Sequence, residues 1–126
     1  MKQIVIVDDS IVIRNIFSKI FKDAGYDVVG LGKNGDEAIS LYKEHAPNLM
    51  MLDLTMPNKG GKEALQEIIE FDPKAKIVIF SSLTDENTKK ACLEIGATAF
   101  LNKSVNFNDP TERKVLVDKV INIIEG

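Results

Sequence analysis

The chain has 126 residues, of which 44% are hydrophobic and 28% charged, and its formal net charge is -3. These values are typical of one globular domain that can bury a hydrophobic core. They exclude a membrane-spanning protein and a basic nucleic-acid binder. The single cysteine excludes an internal disulfide. The absence of a signal peptide after Met1 predicts a cytoplasmic location.

Strand-like and helix-like segments alternate from the first residues onward. The β-branched run Gln3–Val7 predicts a buried strand. A helix follows, which we expect Ser10 to cap and Gly25 to close in the left-handed conformation. Residues 27–31 predict a second, weaker strand. Gly35–His45 predicts a second helix that ends before a proline.

The stretch Leu49–Pro57 predicts the third strand and the loop after it. Four apolar residues run directly into Asp53, and a Met-Pro pair then turns the chain. A buried carboxylate is costly unless something pairs with it. The third helix follows, with apolar positions Ala64, Leu65, Ile68 and Ile69. The central question is therefore what partner Asp53 has.

The remaining elements continue the alternation. Residues 76–81 predict a fourth strand, Glu86–Ile95 a fourth helix that Gly96 ends, and residues 98–101 a short fifth strand. The last helix is expected to begin at Asp109 as N-cap. Pro110 would take its first turn and Glu112 would complete a capping box. Its predicted buried stripe is Val117, Val120, Ile121 and Ile124.

Strict alternation of apolar strands and amphipathic helices indicates an α/β fold, a parallel sheet with helices on both faces. With five strands the commonest order is 2-1-3-4-5, the flavodoxin-like three-layer arrangement. We expect residues 1–126 to form one such domain. Its ligand site would lie between strands 1 and 3, at their carboxyl ends.

Polar residues stand at the carboxyl ends of the four strands that can converge there. Strand 1 ends in Asp8-Asp9, strand 3 in Asp53, strand 4 in Ser81 and strand 5 in Lys103. Three carboxylates at one crevice need a cation, and Mg²⁺ suits them because it leaves positions for water and phosphate oxygens. A metal ion, a lysine and a hydroxyl can stabilise a transferring phosphoryl group. Asp53 is the best candidate for the accepting nucleophile.

These residues resemble the receiver domain of two-component response regulators. The resemblance rests on Ile6-Val7-Asp8-Asp9-Ser10, on Leu52-Asp53-Leu54-Thr55-Met56-Pro57, and on Gly61, Ser81 and Lys103. It covers essentially the entire chain, in order and at the expected separations. Because nothing follows the last helix, the chain most resembles the stand-alone, CheY-like chemotaxis regulators.

The resemblance implies a phosphoacceptor and a metal site. Asp53 would accept a phosphoryl group from a phosphohistidine on a sensor histidine kinase or a phosphotransfer protein. Asp9, Asp53 and the backbone carbonyl of Thr55 would bind Mg²⁺, which Mn²⁺ can replace, and Asp8 would act mainly through water. Self-phosphorylation and slow autodephosphorylation would be the only chemical activities, so the protein would not be a classical enzyme.

The resemblance also implies a switch and an output surface. Ser81 would donate its hydroxyl to the phosphoryl group, Lys103 would pair with it, and Phe100 would swing inward as Ser81 moves. Thr55 and Leu83 would modulate the lifetime of the phosphorylated state. A downstream protein would bind helix 4, strand 5 and helix 5, and the regulator would be a monomer or weak dimer with no membrane or nucleic-acid partner.

Three positions depart from the family pattern. Ser104 follows Lys103 where the family usually has a proline, typically with a cis bond. Because a cis bond before another residue costs roughly 2.5–4 kcal/mol, we predict a trans Lys103–Ser104 peptide. Residues 105–108 lengthen the loop before the last helix, and Phe100 replaces the commoner tyrosine.

Other functions fit parts of the same pattern. A single-domain phosphorelay intermediate would use the same residues. An aspartyl-phosphate hydrolase would have two aspartates one residue apart after strand 1, whereas Asp8 and Asp9 are adjacent. A flavin or nucleotide domain would need a phosphate-binding loop where these aspartates stand. A partner-only pseudo-receiver would not need the intact acidic set.

Overall fold

The computed structural model describes residues 2–83 and 85–126, which form alternating strands and helices. The strands are Gln3–Val7 (β1), Asp27–Gly32 (β2), Leu49–Leu52 (β3), Ile77–Ser81 (β4) and Ala99–Asn102 (β5). The helices are Ile11–Asp23 (α1), Gly35–His45 (α2), Gly61–Phe71 (α3), Glu86–Ile95 (α4) and Pro110–Glu125 (α5). The predicted bounds of β1, α2 and α4 are confirmed. Those of β2 and β4 differ by one residue at one end, and β5 is shifted by one residue toward the C-terminus.

The strands form one parallel sheet in the order β2-β1-β3-β4-β5, which confirms the predicted flavodoxin-like topology. β1 lies beside β3 with Val7 opposite Leu52. The next residues continue this register, since the Asp53 amide donates to the Val7 carbonyl at 2.9 Å. Asp8 and Asp53 therefore leave the sheet side by side.

The core has two parts, one on each face of the sheet. The first, called here the α2/α3 core, includes the buried residues Val5, Val7, Ala38, Tyr42, Met50, Leu52, Leu65, Ile68, Ile77, Ile79 and Cys92. The second, the α1/α5 core, includes Ile4, Ile6, Phe17, Phe21, Leu49, Met51, Val78, Phe80, Leu116, Val120 and Ile124. Because the strands are covered on both faces, their residues are apolar without alternation.

Local signals place most helix ends correctly. The Ser10 hydroxyl accepts from the Ile13 amide at 3.3 Å, and Gly25 and Gly96 have φ values of +93° and +135°, which favour glycine. Within the described residues, no helix is both long and apolar enough to cross a membrane.

Two details of α5 correct the sequence-based expectation. The predicted capping box at Glu112 is wrong, because the Asp109 amide donates to the Asn106 carbonyl at 3.0 Å and the Asp109 carboxylate accepts from Thr111 at 2.9 Å. The buried stripe is also shifted. Leu116 is buried whereas Val117 and Ile121 are only half-buried, since residues 116, 120 and 124 share the face that meets the sheet.

The loop between β5 and α5, residues 103–109, contains the predicted departure from the family. The described residues contain no cis peptide bond, so the prediction of a trans Lys103–Ser104 peptide is confirmed. The Ser104 amide donates to the Asn102 side chain at 2.8 Å. The extra residues are packed, since Val105 and Phe107 contact the α1/α5 core.

Candidate functional site

Three carboxylates meet at the carboxyl ends of β1 and β3. An oxygen of Asp8, one of Asp9 and one of Asp53 all lie within 4.8 Å of one another. Asp8 and Asp53 are buried, while Asp9 is exposed. The sheet order causes this meeting, because it places the two strands next to each other. The structure thus brings together the acidic residues that the sequence singled out.

Lys103 is the partner of both buried carboxylates. Its Nζ lies 2.8 Å from Asp8 Oδ2 and 3.1 Å from Asp53 Oδ1. Its side chain is 19% exposed, against 3% and 4% for the two aspartates. The Lys103 amide donates to the Ser81 carbonyl at 2.9 Å, which extends the pairing of β5 with β4 up to the site. The partner that a buried Asp53 requires is therefore Lys103, with which it forms a buried ion pair.

The electrostatics of the pocket disfavour the ionised form of Asp53 relative to an exposed aspartate. Burial and the charge of Asp8 raise the pKa of the Asp53 carboxyl to about 6, although Lys103 acts in the opposite direction. For Lys103 itself, burial lowers the pKa, but the hydrogen bond to Asp8 and the charges of both aspartates outweigh it, and the net shift is upward. The pocket therefore contains more negative charge than one ammonium group can balance.

The turn that carries Asp8 and Asp9 is held by two further groups. The Ser10 amide donates to Asp8 Oδ1 at 2.9 Å. The Arg14 guanidinium donates to the Asp8 carbonyl at 2.6 Å. Sequence reasoning missed Arg14. The one signal in the sequence that could have indicated its role is that it is a lone basic residue in the first turns of α1.

The loop that follows Asp53 is fixed by close backbone packing. The Gly61 amide donates to the Leu54 carbonyl at 2.9 Å, and a Cβ atom on Gly61 would lie 2.0 Å from the Asp53 carbonyl oxygen. At the other side of the loop, the Gly35 amide donates to the Lys59 carbonyl at 2.8 Å. Both contacts need a glycine, because a side chain would push the loop away.

The remaining predicted site residues differ in burial, and none of them contacts the three carboxylates through a hydrogen bond in the described residues. Ser81 is buried at the end of β4, and its hydroxyl accepts from the Leu83 amide at 3.0 Å. Phe100 is half-buried in β5 and packs against the α2/α3 core. Thr55 is exposed, and Leu83 is 43% exposed. The roles expected for these four residues stay predictions.

The donor set fits Mg²⁺. This ion prefers carboxylate and carbonyl oxygens and keeps several waters. Two buried carboxylates and one exposed carboxylate supply oxygens without closing the pocket to solvent. Burial and then the charge of Asp8 raise the pKa of Asp53, and a divalent cation would neutralise the excess negative charge of the three carboxylates.

Comparisons with known proteins show similarity to one family over most of the chain. The sequence pattern of the response regulator receiver domain matches residues 4–113. The chemotaxis protein CheY of Thermotoga maritima is 37% identical over 102 residues, which span 81% of this chain and 85% of that protein. CheY of Halobacterium salinarum is 32% identical over 123 residues, spanning 98% of this chain and 97% of that protein. The crystal structure of the CheX-CheY-BeF3-Mg²⁺ complex from Borrelia burgdorferi superposes with a TM-score of 0.87 at 32% identity, covering 97% of this chain and 88% of that one.

Proposed function

Because this chain belongs to the family of response regulator receiver domains, we propose that it is a signalling switch activated by phosphorylation of Asp53. The observation that carries the proposal is the pocket in which buried Asp53 pairs with Lys103 beside two further carboxylates. Family members of this kind are switches rather than classical enzymes. The self-phosphorylation and slow autodephosphorylation proposed here are single-site reactions of the switch itself.

In the proposed reaction, a carboxylate oxygen of Asp53 attacks the phosphorus of a phosphohistidine. The new O–P bond forms as the P–N bond breaks, and the electron pair of that bond stays on the imidazole nitrogen. Lys103 already contacts Asp53 Oδ1 at 3.1 Å, so its ammonium group is placed to offset negative charge on the phosphoryl oxygens. Ser81 would donate its hydroxyl to one of those oxygens after giving up its contact with Leu83.

We propose that Asp8, Asp9, Asp53 and the backbone carbonyl of Thr55 hold Mg²⁺, with Asp8 acting mainly through water. When bound, the ion supplies positive charge that lets a dianionic phosphoryl group approach three carboxylates. Support comes from the oxygens of Asp8, Asp9 and Asp53 lying within 4.8 Å of one another. Mn²⁺ can take the same place, because it also prefers oxygen ligands.

The response to phosphorylation would spread through Ser81 and Phe100. Movement of the buried Ser81 hydroxyl toward the phosphoryl group would open space that the half-buried Phe100 ring fills. The proposed output surface is α4, β5 and α5, where Leu93 and Val115 are 41% and 50% exposed. Thr55 and Leu83, both exposed near the site, would set how easily water reaches the acyl phosphate.

The proposed partners are a sensor histidine kinase or phosphotransfer protein and a downstream protein. The similarity to several chemotaxis proteins named CheY supports a role in chemotaxis, and one such relative was solved with CheX. We propose a cytoplasmic location, a single receiver domain over residues 1–126, and a monomer or weak dimer as the working form.

Incubation with acetyl phosphate and Mg²⁺, followed by intact-mass measurement, tests the proposal. The native protein should gain one phosphate, and Asp53→Asn should gain none. Asp118→Asn, which alters an exposed carboxylate on α5, is the matched control and should behave as the native protein does. A native protein that stays unmodified by acetyl phosphate and by a histidine kinase would favour a module that only binds partners.

A further inference from the structure

The loop after Lys103 is anchored by an aromatic ring that sequence reasoning did not single out. Phe107 packs edge-on against Phe17 of α1, with ring centroids 5.5 Å apart and planes at 89°. It also contacts Phe80 of β4, with centroids 6.4 Å apart and planes at 64°. Phe17 and Phe80 also contact each other, with ring centroids 5.0 Å apart. The three rings, called here the aromatic triad, join the loop to a helix and to the sheet.

The aromatic triad reaches the functional site through Phe80. The Lys103 Nζ lies 5.8 Å from the centroid of the Phe80 ring, within the range of a cation–π contact. The same ammonium group contacts Asp8 and Asp53. Phe107 therefore touches the ring over which the Lys103 ammonium lies, and it also belongs to the loop that Lys103 begins.

In the part of the chain that the structure describes, the hydrogen bonds of residues 104–109 go to residues nearby in sequence, among them Ser104 to Asn102 and Asp109 to Asn106. The Asn108 amide donates to the Asn106 side chain at 3.0 Å, which is a local turn contact. The Arg113 guanidinium donates to the Phe107 carbonyl at 3.2 Å. No proline follows Lys103 to restrict the backbone there. The position of the loop relative to the sheet thus depends on the two side chains that enter the α1/α5 core, Val105 and Phe107.

We propose that Phe107 is a positioning residue for Lys103. By packing against both Phe17 of α1 and Phe80 of β4, its ring holds the loop so that the Lys103 ammonium stays against the two buried carboxylates. The consequence for phosphoryl transfer rests on the proposed function. The placement of Lys103 by Phe107 does not rest on the proposed function, so this placement can be tested without any phosphorylation.

Competitive acetylation of lysines with acetic anhydride measures that placement directly. In the native protein Lys103 should react slowly, since it is paired and only 19% exposed. In Phe107→Ala and in the milder Phe107→Leu, labelling of Lys103 should rise about three- to tenfold, the range that the loss of an aromatic pair can produce. Lys76, whose Nζ donates to the Ile123 carbonyl at 2.9 Å, is the internal reference and should be unchanged.

Phe21→Leu is the matched control variant. Phe21 is fully buried and stacks on Phe17 at 5.9 Å, so its replacement removes a ring from the same core without touching the loop. It should leave the labelling of Lys103 at the native level. An equal rise in Phe21→Leu, or a native level in folded Phe107→Leu, would overturn the proposal.

A double-mutant cycle connects Phe107 with phosphorylation. Phe107→Ala should lower the rate of phosphorylation by acetyl phosphate in the native background, and it should have no further effect in Lys103→Gln. Equal losses in both backgrounds would show that Phe107 acts through general stability and would refute positioning. If the native protein accepts no phosphate, the proposed function fails, and the labelling experiment still decides the role of Phe107.

Discussion

Replacing Asp53 with asparagine should stabilise the metal-free protein at neutral pH. The pKa of this carboxyl is raised from 3.8 to about 6, first by burial and then by the charge of Asp8. A shift of this size corresponds to about 3 kcal/mol of destabilisation of the ionised form. Asn has nearly the same shape and no charge, so the variant should recover a large part of that free energy.

The stabilisation by Asp53→Asn should depend on pH, because Asp53 has a different pKa in the folded and unfolded protein. The folded protein holds a proton on Asp53 up to about pH 6, whereas the unfolded chain loses it near the ordinary value of 3.8. Stability contributed by this residue is therefore fully present below the unfolded value and is lost as the pH rises through the folded one. The advantage of Asp53→Asn should be small at acid pH and should reach its full size above about pH 6.

Urea unfolding followed by circular dichroism measures the free energy of unfolding across this range. Asp9→Asn is the matched control, because Asp9 belongs to the same group of carboxylates but is exposed. It should change stability by about 0.5 kcal/mol or less. Saturating Mg²⁺ should stabilise the native protein above about pH 6, and both variants should respond less.

Two results would refute this reasoning. The first is an Asp53→Asn variant that is no more stable than the native protein at neutral pH without metal. The second is a gain in stability that has the same size at acid and neutral pH, because a buried charge cannot cause a pH-independent effect. Either result would mean that Lys103 offsets the negative charge of the buried carboxylates more fully than the raised pKa of Asp53 implies.

Three further predictions concern the ion pair of the site, the loop after Asp53 and a contact between α2 and α3, and urea unfolding measures each. Lys103→Ala leaves two buried carboxylates without their cation and should lower the free energy of unfolding by about 3–5 kcal/mol. Mg²⁺ should restore part of this stability. An unchanged free energy of unfolding would contradict a stabilising ion pair. Gly61→Ala would place a Cβ 2.0 Å from the Asp53 carbonyl oxygen and should cost about 1–3 kcal/mol, whereas Gly60→Ala, with its nearest contact at 3.3 Å, should cost clearly less. Tyr42→Phe removes the 2.7 Å hydrogen bond to the Asp72 carboxylate that joins α2 to the end of α3 and should cost about 1.5–3 kcal/mol, the range for a hydrogen bond to a charged group. A loss beyond that range would show a role other than the hydroxyl contact.

The main residues of the site could be predicted because parallel strands bring their carboxyl ends to one edge. Asp8 and Asp53 directly follow two adjacent apolar strands, so strand order places them together. Lys103 follows β5, two strands away from β3, and reaches both carboxylates through its long side chain. Helix ends were predictable for a similar reason. Capping residues act on amides two or three positions away, within reach of a local pattern.

Contacts that depend on how the folded elements meet could not be predicted. Arg14 and Phe107 are ordinary residues in the sequence, and their roles depend on which carbonyl or ring folding brings within reach. The buried face of α5 was misjudged for a related reason. Leu116 and Val117 are both apolar, and only the angle at which the helix meets the sheet decides which one is buried.

The division of the core between two faces has a consequence for folding during synthesis. The fully buried residues of the α2/α3 core have all been made once the chain has reached Ala97. The α1/α5 core must wait for Leu116, Val120 and Ile124 of the last helix. Because chains emerge from the ribosome at about 5–20 residues per second, Phe17 and Phe21 stay exposed to solvent for an interval after their own helix has formed. We expect ribosome-bound chains that stop before α5 to be the form most prone to aggregation and to chaperone capture.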